Sequence, residues 1–85
     1  MFFVYILVST RYSKTYVGIT DNLIRRLNEH NKGQHIYTKR YMPWKILFSN
    51  EFDTRVTARK KEKYLKSAAG RRWIKKVFFS TLPRW

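Results

Sequence analysis

The sequence predicts an α+β fold, a small three-stranded antiparallel sheet flanked by helices in the order β-β-α-β-α-α. Three observations carry that expectation. Two apolar, β-branched and aromatic segments near the start are joined by a short polar stretch, as in a hairpin. Later segments switch to apolar residues at helical spacing, each opened by a side chain able to cap a helix. The chain has 85 residues and no cysteine, with 44% hydrophobic and 18% aromatic residues. That supply suits one aliphatic and aromatic core and excludes disulfides and thiolate metal sites. The expectation is a single domain over residues 1–85.

Phe2-Phe3-Val4-Tyr5-Ile6-Leu7-Val8 is continuously apolar, as a central strand covered on both faces should be. Ser9 to Lys14 is polar and turn-like, and Thr15-Tyr16-Val17-Gly18-Ile19-Thr20 follows as an antiparallel partner. Gly18 weakens that strand, so something must approach its backbone closely. Asp21 or Asn22 caps a helix whose apolar positions are Leu23, Ile24 and Leu27, ending near Asn31-Lys32-Gly33. Gln34 to Pro43 reads as a basic and aromatic loop carrying His35, Tyr37, Lys39, Arg40 and Tyr41. Trp44 to Phe52 is the third strand. Asp53 or Thr54 caps a second long helix from Arg55 to about Ser67. The pattern resets around Gly70, and Arg71 to Phe79 fits a last short helix with Trp73, Ile74 and Val77 inward.

Charge narrows the function. Nineteen Lys and Arg against five Asp and Glu leave a formal net charge of +14. Self-repulsion of that size destabilises a compact domain, and a polyanion relieves it. Nucleic acid is the expected partner. An anionic membrane surface would need one continuous basic amphipathic helix, whereas the bulky apolar residues are spread along the chain. No apolar run approaches the ~20 residues that span a bilayer. The start, MFFVYILVST, lacks a basic leader and a small-residue cleavage site, so the expected location is the cytoplasm.

A hairpin brings Tyr5 and Tyr16 within reach of each other, although each alone reads as an ordinary strand tyrosine. Arg26 and His30, four apart, share a helix face with Leu23 and Leu27. The plain alternatives are a snorkelling Arg26 and a His30 favourable to the helix dipole. Arg25 points away and is a candidate for a solvated phosphate contact. Glu62 is the one acid inside Arg59-Lys60-Lys61-Glu62-Lys63, four after Ala58 and three before Leu65, on or beside the inward stripe. Its plain role is an i,i+4 pair with Lys66, worth about 0.2–0.5 kcal/mol. Its functional role is to hold one hydrated Mg²⁺ or Mn²⁺ in a cationic cleft.

These residues resemble the GIY-YIG nuclease superfamily. Phe3-Val4-Tyr5 stands for one half-motif and Tyr16-Val17-Gly18 for the other, with the tyrosines eleven residues apart. Arg26 falls ten after Tyr16, His30 one helical turn later, and Glu62 on the following helix. The resemblance covers nearly the whole chain and is nearest to small single-domain members related to the nuclease module of the bacterial excision-repair C subunit. Tyr37-Thr38 and Glu62-Lys63-Tyr64-Leu65-Lys66 are also similar to those members. Phe3 stands in place of the first glycine. Larger members carry an asparagine after the glutamate, where this chain reads Ser67-Ala68-Ala69-Gly70.

The resemblance implies a metal-dependent DNA endonuclease of repair or processing, without sequence specificity unless a protein partner supplies it. Glu62 would hold the metal, Arg26 would clamp the scissile phosphate, and Tyr5 would be general base with its proton relayed through His30. Tyr16 would orient the water or phosphate, and Gly18 would leave room for the substrate backbone. Arg25, Lys39, Arg40, Arg59, Lys63 and Lys66 would guide the phosphates. A non-catalytic nucleic-acid-binding module with the same fold explains the charge equally well. It leaves the ordered tyrosines and the lone glutamate without a purpose.

Overall fold

In the computed structural model, residues 1–79 are described. The remaining residues of the expected domain, 80–85, lie outside the described residues. The sheet has the order β2-β1-β3, with β1 (Phe2–Ser9) central and antiparallel to both β2 (Thr15–Thr20) and β3 (Trp44–Phe52). Both faces of β1 are covered, which is why its sequence shows no polar alternation. Val4 and Ile6, with Val17, pack against Ala58 and Leu65 of α3 (Arg55–Lys66) and Ile74 of α4 (Ala68–Ile74). Tyr5 and Leu7, with Trp44, pack against Leu23 and Leu27 of α1 (Leu23–Asn31). The sheet is thus a middle layer between two sets of helices.

The caps resolve as short-range chemistry requires. Asn22 Oδ1 accepts from the Arg25 amide at 3.0 Å, and Thr54 Oγ1 accepts from the Thr57 amide at 3.2 Å. Gly33 follows α1 with φ of 77°, the left-handed conformation that stops the helix.

Four expectations need correction. Ile24 is 68% exposed, so the inward face of α1 carries partly buried Leu23 and Leu27 together with buried His30. The segment expected to be loop contains a short helix, α2 (Ile36–Lys39). The break between the last helices falls at Ser67, which ends α3 and caps α4 by accepting from the Gly70 amide at 3.2 Å. Gly70 lies inside α4, where a Cβ would collide with the Tyr64 carbonyl and the Leu65 backbone, so it marks a tight corner and not a helix start. Finally, Val77 is exposed while Phe78 and Phe79 pack inward with Phe48 and Trp73. The π-helical turn Lys75–Phe79 moves the inward positions along by about one residue. Among the described residues, no helix is long and apolar enough to cross a membrane.

Candidate active site

Tyr5 stands opposite Gly18 across the β1–β2 ladder. Its phenol lies over that glycine, and a Cβ there would collide with the hydroxyl and the adjacent ring carbon. The close approach expected at Gly18 therefore comes from Tyr5, and the space assigned to substrate is filled by the protein itself. Tyr5 is only 3% exposed.

The Tyr5 hydroxyl meets His30 Nε2 at 3.0 Å. On the far side of the imidazole, Nδ1 lies 2.7 Å from the Thr38 hydroxyl of α2. Burial, helped by His35 and Arg26, holds the His30 pKa down at about 4, so the ring is neutral near pH 7. A buried neutral imidazole is not a charged partner of the helix dipole, which removes the plain reading of His30. Burial first, then Tyr16, pushes the Tyr5 phenol well above its ordinary range, against the pull of Arg26. Glu62 and Glu29 raise it further. Tyr16, Arg26 and Glu62 are thus all near enough to act on one hydroxyl, although they come from β2, α1 and α3.

Tyr16 sits beside Tyr5 with ring centroids 6.4 Å apart, and its hydroxyl meets His35 Nε2 at 3.3 Å. His35 precedes α2, and its ring lies 5.2 Å from that of His30. Two tyrosine–histidine pairs therefore stand side by side. Neither Thr38 nor His35 was assigned a place at the site from sequence. Thr38 lies eight residues after His30 with the end of α1 at Lys32-Gly33 between them, so no single helix or strand period links the two.

Arg26 borders a small cleft with Tyr5, Leu7, Leu23, Leu27 and Ile46. Its Nε is buried without a hydrogen-bond partner and lies 3.4 Å from Glu29 Oε1 as an ion pair only. The side chain is 36% exposed overall, so its remaining guanidinium N–H groups keep hydrogen-bonding capacity for an anionic ligand. Arg25 is exposed, as expected, but pairs with Asp21 at 2.9 Å and Glu29 at 3.4 Å. It is the weaker phosphate candidate for that reason.

Glu62 is 8% exposed, on the buried stripe with Ala58 and Leu65. Its carboxylate pairs with Lys66 at 3.2 Å and Arg59 at 3.9 Å, so the plain i,i+4 pair does form. Among the described residues, no group of three or more His, Cys, Asp or Glu is placed to hold a metal. A single carboxylate fits only an ion that keeps most of its water, which is the habit of Mg²⁺. Both cations on Glu62 have exposed side chains that can swing away. Lys39, Arg40 and Lys63 are exposed as well.

The GIY-YIG catalytic domain model matches residues 1–76, and the chain belongs to the GIY-YIG nuclease family. The chain is similar to a structure-specific endonuclease subunit SLX1 homolog of Giardia intestinalis, 42% identical over 53 residues, covering 58% of this chain and 15% of that protein. It is also similar to a UPF0213 protein of Streptococcus agalactiae, 38% identical over 52 residues, covering 60% of this chain and 59% of that protein. Both matches thus span less than two thirds of the relative's length. Among solved structures, a UPF0213 protein from Bacillus halodurans aligns with a TM-score of 0.55 and 26% identity, over 98% of this chain and 89% of that one.

Proposed function

We propose that this chain is a metal-dependent endonuclease that hydrolyses DNA phosphodiester bonds by water attack. The observation that supports the reading is that the Tyr5 hydroxyl meets His30 Nε2 and feels Tyr16 beside it and the charges of Arg26 and Glu62. Hydrolysis needs a proton acceptor, a phosphate clamp and relief of charge, and these side chains supply them in one place.

Arg26 presents its planar fork to the scissile phosphate. Tyr5 takes the proton of the attacking water while handing its own to His30 Nε2, 3.0 Å away. A concerted transfer avoids a free phenolate, which burial of Tyr5 disfavours. Bound phosphate also makes the imidazolium easier to form. Tyr16, held by His35, orients the water or the phosphate. Glu62 would hold a Mg²⁺ or Mn²⁺ ion, which when bound would supply relief of phosphate charge and of charge on the leaving oxygen. Lys39, Arg40, Arg59, Lys63 and Lys66 follow the phosphate backbone and read no bases.

The substrate is DNA chosen by structure, or without selection, in repair or processing. A protein partner would supply any sequence preference. The SLX1 homolog bears the name of a structure-specific endonuclease subunit, which supports both points. One observation favours a second reading, a binding module without chemistry: the Glu62 carboxylate already faces Lys66 and Arg59. A panel of labelled duplex, single-stranded, nicked and branched DNAs in Mg²⁺ or Mn²⁺ separates the two. Cutting by wild type and not by Glu62→Gln supports the nuclease, and binding without cutting supports the module.

A further inference from the structure

The hydroxyl of Thr38 faces the nitrogen of His30 that Tyr5 does not use. We infer that Thr38 is a positioning residue, fixing His30 in the tautomer whose free Nε2 can receive the Tyr5 proton. The inference rests on Tyr5 acting as the proton acceptor for water.

Thr38 is fully buried, and its Oγ1 lies 2.7 Å from His30 Nδ1 and 3.5 Å from the His35 carbonyl. The His35 carbonyl, 3.5 Å away, is an acceptor toward which the threonine proton can turn, leaving its oxygen open to His30 Nδ1. The oxygen of Thr38 then accepts from His30 Nδ1–H, which leaves Nε2 with a lone pair. The Tyr5 hydroxyl donates to that lone pair across 3.0 Å. In the proposed direction the chain runs from Tyr5 O–H to Nε2, from Nδ1–H to Thr38, and from Thr38 O–H toward the His35 carbonyl. When Tyr5 passes its proton on, the ring becomes an imidazolium and keeps its Nδ1–H on Thr38. No other bond in the chain need break.

The threonine is itself anchored. Trp44 Nε1 donates to the Thr38 carbonyl at 2.8 Å. Asn31, at the end of α1, accepts from the Trp44 amide at 2.6 Å and donates to its carbonyl at 3.0 Å. This frame ties α2 to the end of α1 and the start of β3, and holds the hydroxyl against the imidazole.

Heteronuclear NMR of the imidazole nitrogens, together with cleavage and DNA-binding assays, tests the assignment on wild type, Thr38→Val and Thr38→Ser. Wild-type His30 should carry its proton on Nδ1. Thr38→Val should move proton density to Nε2 and slow cleavage about tenfold to a hundredfold, the usual effect of removing a partner that orients a histidine. DNA affinity should stay within about twofold, because only the proton path is altered. Thr38→Ser should restore both tautomer and rate. The proposal is overturned if wild-type His30 carries its proton on Nε2, or if Thr38→Val keeps the wild-type tautomer. Should Thr38→Val not fold, Thr38→Ser decides: a loss of tautomer and rate there would mean that the methyl group matters, and not the hydroxyl. If wild type cuts no DNA, the nuclease reading fails, while the NMR arms still decide the role of Thr38.

Discussion

The phenol of Tyr5 occupies the space that a side chain at Gly18 would fill. The pair is directly opposed across the ladder, so the glycine of one half-motif serves the tyrosine of the other. This gives the spacing of the two half-motifs a physical reason: only that register lays the ring over a residue without a Cβ.

Gly18→Ala should therefore act through Tyr5. The added methyl meets a rigid ring, and overpacking of this kind costs about 1–3 kcal/mol. Cleavage should fall at least about tenfold, since misplacement of a reacting group by an ångström can cost a hundredfold. A double-mutant cycle with Tyr5→Phe should be strongly non-additive, because both changes disable one hydroxyl. Additive losses in rate would separate Gly18 from Tyr5.

Acid should weaken the fold through His30. Its pKa is lowered by burial from 6.5 to about 4, so the unfolded chain binds the proton more readily. The contribution is complete above about pH 6.5 and is lost as pH falls toward 4, up to about 3 kcal/mol. Denaturant unfolding at pH 7 and pH 4.5 checks the sign. Wild type should lose more stability than His30→Gln between those values, and an equal loss would mean that His30 is not buried as a neutral ring.

Much of this was legible in the sequence. The bounds of β2 and β3 follow from β-branched and aromatic segments between turn residues, and those of α1 and α3 from the capping pairs Asp21-Asn22 and Asp53-Thr54. Glu62 could be placed on an inward stripe because helical periodicity links it to Ala58 and Leu65. Thr38 and His35 could not be placed. Their link to His30 and Tyr16 depends on how α2 turns back against α1, and a four-residue helix leaves no periodic signal. Gly70 misled because glycine commonly ends helices, whereas here its missing side chain lets α4 meet α3.

Glu62→Gln should leave the fold intact and abolish metal-dependent cutting. The residue keeps its shape and loses two ion pairs to exposed partners, so the stability change should stay below about 1 kcal/mol. DNA binding without metal should hold or tighten, since one negative charge leaves a cationic surface. An unfolded Glu62→Gln would make the carboxylate a structural ion-pair partner instead.

Binding should depend steeply on salt. If six phosphates are neutralised on duplex DNA, the slope of log K against log salt should be about −5. A slope near −1 would assign the charge of +14 to some other partner.

The central claim, that Tyr5 performs chemistry on DNA, is tested most directly by single-turnover cleavage with wild type, Tyr5→Phe and Tyr16→Phe in Mg²⁺. Each substitution removes one hydroxyl and keeps the ring, so folding and DNA affinity should hardly change. The rate should fall by about 10²–10⁴-fold for Tyr5→Phe, the usual share of general base catalysis. Tyr16→Phe should show a smaller loss, because orienting a group contributes less than accepting its proton. Wild-type rates in both variants, or no metal-dependent cutting by wild type on any DNA form, would contradict the account.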